Sequence, residues 1–157
     1  MKIITAPHQT LRQKAKTIDV FDKKFFGFLE QLAKTLLEKE QPGGVGLAAP
    51  QVDKSLQVFA AILGAENQAS QKPKIEFFIN PVITKTSKKK IKGLANGEER
   101  FEGCLSIPLL YGPVPRYEWI KIQYQSIFYH DLLNKKFTLK NKKIRFSDFD
   151  ARVIQHE

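Results

Sequence analysis

Three short segments hold residue types that can do chemistry together. The first is Gly44-Val45-Gly46-Leu47-Ala48-Ala49-Pro50-Gln51, whose small residues permit close backbone approach and whose Gln51 supplies a hydrogen-bonding amide. It lacks both the Lys-Ser/Thr ending of a phosphate loop and the three-glycine dinucleotide fingerprint. The second is Glu102-Gly103-Cys104-Leu105-Ser106. A cysteine thiolate is a good ligand for zinc or ferrous iron, although an isolated cysteine is more often a small buried hydrophobe, and as a nucleophile it would need a base such as His156. The third, Gln155-His156-Glu157, opens the pattern His-Glu-x-x-His. On a helix that pattern sets two histidines on one face around a metal, while the glutamate handles the proton of a water. The sequence in hand stops at the glutamate, and a bare His-Glu pair also fits a structural histidine.

These segments need elements to position them. Between Asp22 and Lys39 the residues Phe25, Phe26, Phe28, Leu29, Leu32, Leu36 and Leu37 recur at three- and four-residue steps, which predicts an amphipathic helix capped by Asp19 or Asp22. Gln41-Pro42-Gly43-Gly44 should end it, and Val45 to Gln51 follows as a loop. Strands are expected at Leu56 to Ile62 and Ile75 to Ile83, separated by a polar insertion from Gly64 to Pro73. Thr84 to Glu99 reads as a Lys-rich loop or hairpin tip delivering Phe101 to Pro108. Trp119 to Phe128 and Lys136 to Ile144, turning near Asn134, read as antiparallel strands. Ser147 to Glu157 reads as a second helix, with Ser147 as its cap and Phe149, Val153 and His156 on one face. Residues 1 to 20 are expected to form an arm packed on the body.

With 157 residues, 42% of them hydrophobic and including 12 Phe, the chain can bury one core, so a single domain is expected. Lys+Arg number 26 against 16 Asp+Glu, a net +10 concentrated at Lys85 to Lys92 and Lys135 to Arg145. Such a surface is either a solvated sheet edge or an attraction for polyanions such as ribosomal RNA; it implies no sequence-specific nucleic-acid binding. A lone cysteine suits a reducing compartment, and neither a signal peptide nor a membrane span is visible, so the cytoplasm is the expected location. His8 and His130 read as ordinary polar residues.

Taken together, the three segments resemble the signatures of peptide deformylases. The first two are complete at Gly44 to Gln51 and Glu102 to Ser106, and the third is represented by His156-Glu157 after Ala151-Arg152-Val153-Ile154-Gln155. Leu11-Arg12, Phe78-Ile79-Asn80-Pro81 and Val114-Pro115-Arg116 extend the resemblance over essentially the whole chain.

The resemblance implies an α+β fold, with antiparallel sheet segments packed around a central metal-binding helix, and removal of the formyl group from N-terminal formyl-methionine of nascent peptides. It implies Cys104 and His156 as ligands of one divalent metal, Fe2+ first, with Zn2+, Ni2+ or Co2+ as replacements. A third ligand is expected four residues after His156, which makes the sequence in hand a fragment of a domain lacking its C-terminal end. Glu157 would carry the proton, while the Gln51 amide and the Leu105 backbone N–H would hold the oxyanion. Val45, Gly46 and Val153 would contact substrate, Gly46 along its backbone and the two valines around the methionine side chain. Glu102 and Arg116 are expected to pair and brace the cysteine segment. A monomer near the ribosome is the expected setting. The alternative is an inactive homologue acting as a basic ribosome- or peptide-binding protein.

Overall fold

In the computed structural model, residues 1–38, 43–64, 74–131 and 136–157 are described, the backbone alone at 128–131, 136 and 137. The expected helix stop at Gln41-Pro42, most of the 64–73 insertion, the turn at Asn134 and the side chain of His130 lie outside them.

Helix α1 (Lys23–Leu37) starts at Asp22, whose carboxylate accepts from the Phe25 N–H at 2.8 Å. Its apolar stripe buries Phe25, Phe26, Leu29, Leu32 and Leu36, leaving Leu37 outside. Strands β1 (Gly46–Ala48), β2 (Val58–Leu63), β3 (Lys74–Thr86), β8 (Trp119–Asp131) and β9 (Lys136–Ser147) form an antiparallel sheet in the order β1-β2-β3-β8-β9. Two further pairs complete the chain, β4 (Lys90–Ile91) with β7 (Arg116–Tyr117), and β5 (Phe101–Cys104) with β6 (Ile107–Pro113). Among the described residues, no helix is long and apolar enough to cross a membrane.

The central strands are buried on both faces, which accounts for the uninterrupted apolar run Val-Phe-Ala-Ala-Ile-Leu of β2. Val58 and Ile79 pack with α1, while Phe59, Ala61, Phe78 and Tyr124 face helix α2 (Asp148–His156). Phe59 and Phe78 stack with centroids 4.6 Å apart, and Tyr124 lies 4.3 Å beyond. Deleting a side chain as enclosed as Phe78 costs on the order of 3–5 kcal/mol. The buried Glu76 carboxylate accepts from Tyr124, Ser126 and Lys142, and those bonds replace its lost hydration.

Four expectations change. Val45–Gln51 is not simply a loop: Gly46–Ala48 adds an edge strand and Ala49–Val52 makes a 3-10 turn, with Pro50 near its start where no N–H is needed. Thr84–Glu99 is shorter as a loop, because β3 runs to Thr86 and Lys90–Ile91 pairs with β7; the remaining tip closes on a Gly93–Glu99 bridge. The segment after Phe101 is a hairpin reaching Pro113. Ser147 stands at the start of α2 without a side-chain cap, and the Asp148 N–H donates to the Glu118 carbonyl instead.

Asn80-Pro81 sits at a register shift between β3 and β8, where a missing proline N–H is harmless. The Asn80 side chain there bonds both the N–H and the carbonyl of Ile18, docking the arm. Farther along the same arm, the Ile4 N–H donates to the Gln51 carbonyl and the Ala6 N–H to the Ser106 carbonyl. The arm therefore ties the two loop signatures together from behind.

Candidate active site

A cleft of about 290 Å³ opens between β1, the β5–β6 hairpin and α2. All eight residues singled out from the sequence line it: Val45, Gly46, Gln51, Cys104, Leu105, Val153, His156 and Glu157. Each arrives from a different local device. Gln51 is 7% exposed and its Oε1 accepts from the Ala48 N–H at 2.7 Å, so the amide NH2 is the end left for the cleft. That Nε2 lies 3.6 Å from Cys104 Sγ. Gly44 and Gly46 are glycines for lack of room: a Cβ at 44 would press on the Leu105 and Leu36 side chains, and one at 46 would run into the Glu157 carboxyl. On α2, Val153 and His156 share the face toward the cleft, whereas Ile154 packs into the core and lines a second cavity.

Glu102 organises the polar side of the cleft. Its Oε2 meets His156 Nδ1 at 2.8 Å, Arg116 bonds both oxygens, and Arg152 Nη1 reaches Oε1 at 2.6 Å. The expected Glu102–Arg116 pair is therefore present, but within a larger cluster. Burial pushes the Glu102 carboxyl up, yet the hydrogen bonds from His156, Arg116 and Arg152 more than offset it and hold it at about 2. His156 is raised to about 10 by its bonds to the Cys104 thiol and to Glu102. The same His156 bond draws Cys104 down, in favour of thiolate. Burial raises Glu157 to about 7, against the pull of His156 and Arg116.

With Nδ1 held by Glu102, the Nε2 side of the ring is left to Cys104. A thiolate beside an imidazole whose other nitrogen is fixed by a carboxylate is a fitting donor pair for a borderline-soft divalent metal. Among the described residues no group of three or more His, Cys, Asp or Glu side chains is placed to hold an ion.

Sequence reading placed Phe149 on the His156 face without giving it a role, and missed Arg152, Arg100 and Tyr111 as cleft residues. An arginine one turn before His156, on the same helix face, was the available signal for the first. The Tyr111 ring lies where a side chain on Gly103 would be, a long-range packing that no local pattern announces. His8 does the bland work expected of it, accepting from the Thr10 N–H at the start of a 3-10 turn.

The model of the polypeptide deformylase family matches residues 1–157. The chain belongs to that family. It is 37% identical to the peptide deformylase of Borreliella burgdorferi, covering all of this chain and 79% of that protein. It is also 37% identical to peptide deformylase 1 of Bacillus cereus, covering 100% and 83%. The crystal structure of a probable peptide deformylase from synechococcus phage S-SSM7 superposes with a TM-score of 0.76 at 29% identity, over 99% of this chain and 90% of that one. Arabidopsis thaliana peptide deformylase 1B, solved with an inhibitor, gives 0.77 at 29% identity, over 100% and 74%. The α+β fold with antiparallel sheets is thus the deformylase fold. The activity is the metal-dependent hydrolysis that removes the formyl group from the N-termini of nascent polypeptides.

Proposed function

We propose that the cleft is the deformylation site and that Cys104 and His156 hold its metal, with ferrous iron as the native ion and zinc, nickel or cobalt as replacements. When bound, the metal supplies a Lewis acid that acidifies a water and polarises the formyl carbonyl. Glu157 takes up the proton lost from the attacking water on its carboxylate and returns it to the leaving amine. The Gln51 amide, with Oε1 already engaged by Ala48, and the Leu105 N–H donate to the oxygen that gains charge. Gly46 lies along the substrate backbone, while Val45 and Val153 form apolar walls for the methionine side chain.

The observation that carries this reading is the meeting, in one cleft, of a thiol, an imidazole, an inward-facing amide and a carboxyl drawn from three separate segments. The lone cysteine and the nascent-chain substrate favour the cytoplasm, and only the basic surface supports proximity to ribosomes.

Metal content and formate release from a formyl-methionyl peptide test the assignment. Cys104→Ser and His156→Ala should lose metal, whereas Glu157→Gln should keep it and lose formate release. Stoichiometric metal in Cys104→Ser would sink the ligand assignment.

A further inference from the structure

Strand β5 and helix α2 meet through two interlocked pairs of side chains. Glu102 and Cys104 are two residues apart on β5, with a register shift between Gly103 and Cys104, and both line the cleft that His156 faces. Arg152 and His156 are one turn apart on α2 and share a face. Glu102 is gripped at both oxygens by that one turn: Arg152 Nη1 on Oε1 at 2.6 Å, His156 Nδ1 on Oε2 at 2.8 Å.

Arg152 itself has little freedom. It is 4% exposed, and it also donates from Nη1 to the Val114 carbonyl at 2.8 Å and from Nη2 to the Ile91 and Gly93 carbonyls, both at 2.9 Å. Arg116 reaches the same carboxylate from β7, with its shortest bond, 2.8 Å, on the oxygen that His156 also uses. It also bonds the other oxygen and donates from Nη1 to the Gln155 carbonyl at 2.8 Å, a second link between β5 and α2 that is made from β7 rather than from the helix itself.

We propose that Arg152 is a positioning residue: by fixing Glu102 to the helix face that carries His156, it sets the register of β5 on α2. That register fixes the separation of the Cys104 thiol from the His156 ring and the rotation of the ring. The role needs the planar fork of arginine, because a lysine ammonium cannot span a carboxylate and three carbonyls in fixed directions. It rests on the reading of Cys104 and His156 as the metal-holding pair.

The test compares Arg152→Lys with Ile79→Val, a substitution in the core on the α1 side that loosens the fold away from the site. The first readout is the His156 Nδ1 proton of the metal-free protein, followed by NMR for protection from solvent exchange. The second is Co2+ affinity, followed by thiolate-to-metal absorption. Arg152→Lys should lose the protected proton and bind Co2+ roughly 10- to 100-fold more weakly, while Ile79→Val should lower Tm and keep both signals. Retention of both by Arg152→Lys, with only Tm reduced, overturns the proposal. Should that variant fail to fold, Glu102→Asp shortens the bridge while leaving Arg152 on its carbonyls; an unchanged proton and unchanged affinity there would overturn it equally. Absence of Co2+ binding through Cys104 in the unaltered protein counts against the metal pair alone, since the proton comparison decides the role of Arg152 without metal.

Discussion

The Glu157 carboxyl rests against the α-carbon of Gly46, so that the edge strand β1 and the last residue of the helical segment are in direct contact only because residue 46 has no side chain. Gly46→Ala should therefore destabilise the protein by about 1–3 kcal/mol through overpacking. Most of that loss should vanish when Glu157 is also alanine. Denaturant unfolding of the two single variants and the double variant gives the coupling between the sites. A cost for Gly46→Ala that is the same in both backgrounds would place the strain elsewhere.

Gln51 points its amide inward because the Ala48 N–H occupies Oε1. Gln51→Glu can keep that bond but replaces the NH2 near Cys104 with an oxygen, which cannot donate to a developing oxyanion. Formate release by the metal-loaded protein should fall on the order of 10²- to 10³-fold in both Gln51→Glu and Gln51→Ala. Metal content is measured alongside, so that a loss of ligand geometry is not read as a loss of donor. Near-normal release by Gln51→Glu would remove Gln51 from the oxyanion site.

The charged cluster gives the metal-free protein a defined pH profile. Glu102 is held at about 2, below its ordinary 4.5, so its contribution is complete above 4.5 and is lost as pH falls through 2. His156 is raised from 6.5 to about 10, so its contribution is complete below 6.5 and is lost as pH rises through 10. Glu157 is raised from 4.5 to about 7, so the fold favours its neutral form and stability declines as it ionises over that interval. Unfolding free energy measured across pH should thus fall towards both extremes, and Glu157→Gln should flatten the part between 4.5 and 7. An unaltered slope there in Glu157→Gln would show that Glu157 is not its source.

Much of this arrangement was legible before the fold. The period of Phe25, Leu29, Leu32 and Leu36 fixes which face of α1 is buried, and the spacing of Val153 and His156 puts both in the cleft. Such signals are local, carried within one element. What stayed hidden depends on pairing between distant segments. The β5–β6 hairpin contains glycine and proline, and its strand character comes from long-range register. The Arg152–Glu102 bond joins residues 50 apart in sequence, so from the sequence Arg152 looked like part of a signature without a task. Ser147 was a good cap by residue type, but the chain enters α2 through a left-handed Asp148, with φ of 52°, and the serine side chain makes no cap bond.

The excess of positive charge has a structural expression that can be tested. Lys85 stands opposite Lys121, and Lys121 opposite Arg145, so three cations lie side by side on one face of β3, β8 and β9. Directly paired residues project to the same side, and like charges there repel. Arg145 gains a partial compensation from the Trp119 ring, 4.3 Å from its guanidinium carbon, but no ion pair to a described carboxylate relieves Lys121. Lys121→Glu converts two repulsive pairs into attractive ones. It should raise stability by roughly 0.2–1 kcal/mol per pair at low ionic strength, and the gain should shrink as salt screens the row. Thermal unfolding of the variant at low and high salt measures this directly. A gain that persists unchanged in high salt would assign it to strand propensity or packing at position 121 rather than to charge, and a loss at low salt would mean that the lysine stem contributes more by covering the sheet than its charge costs.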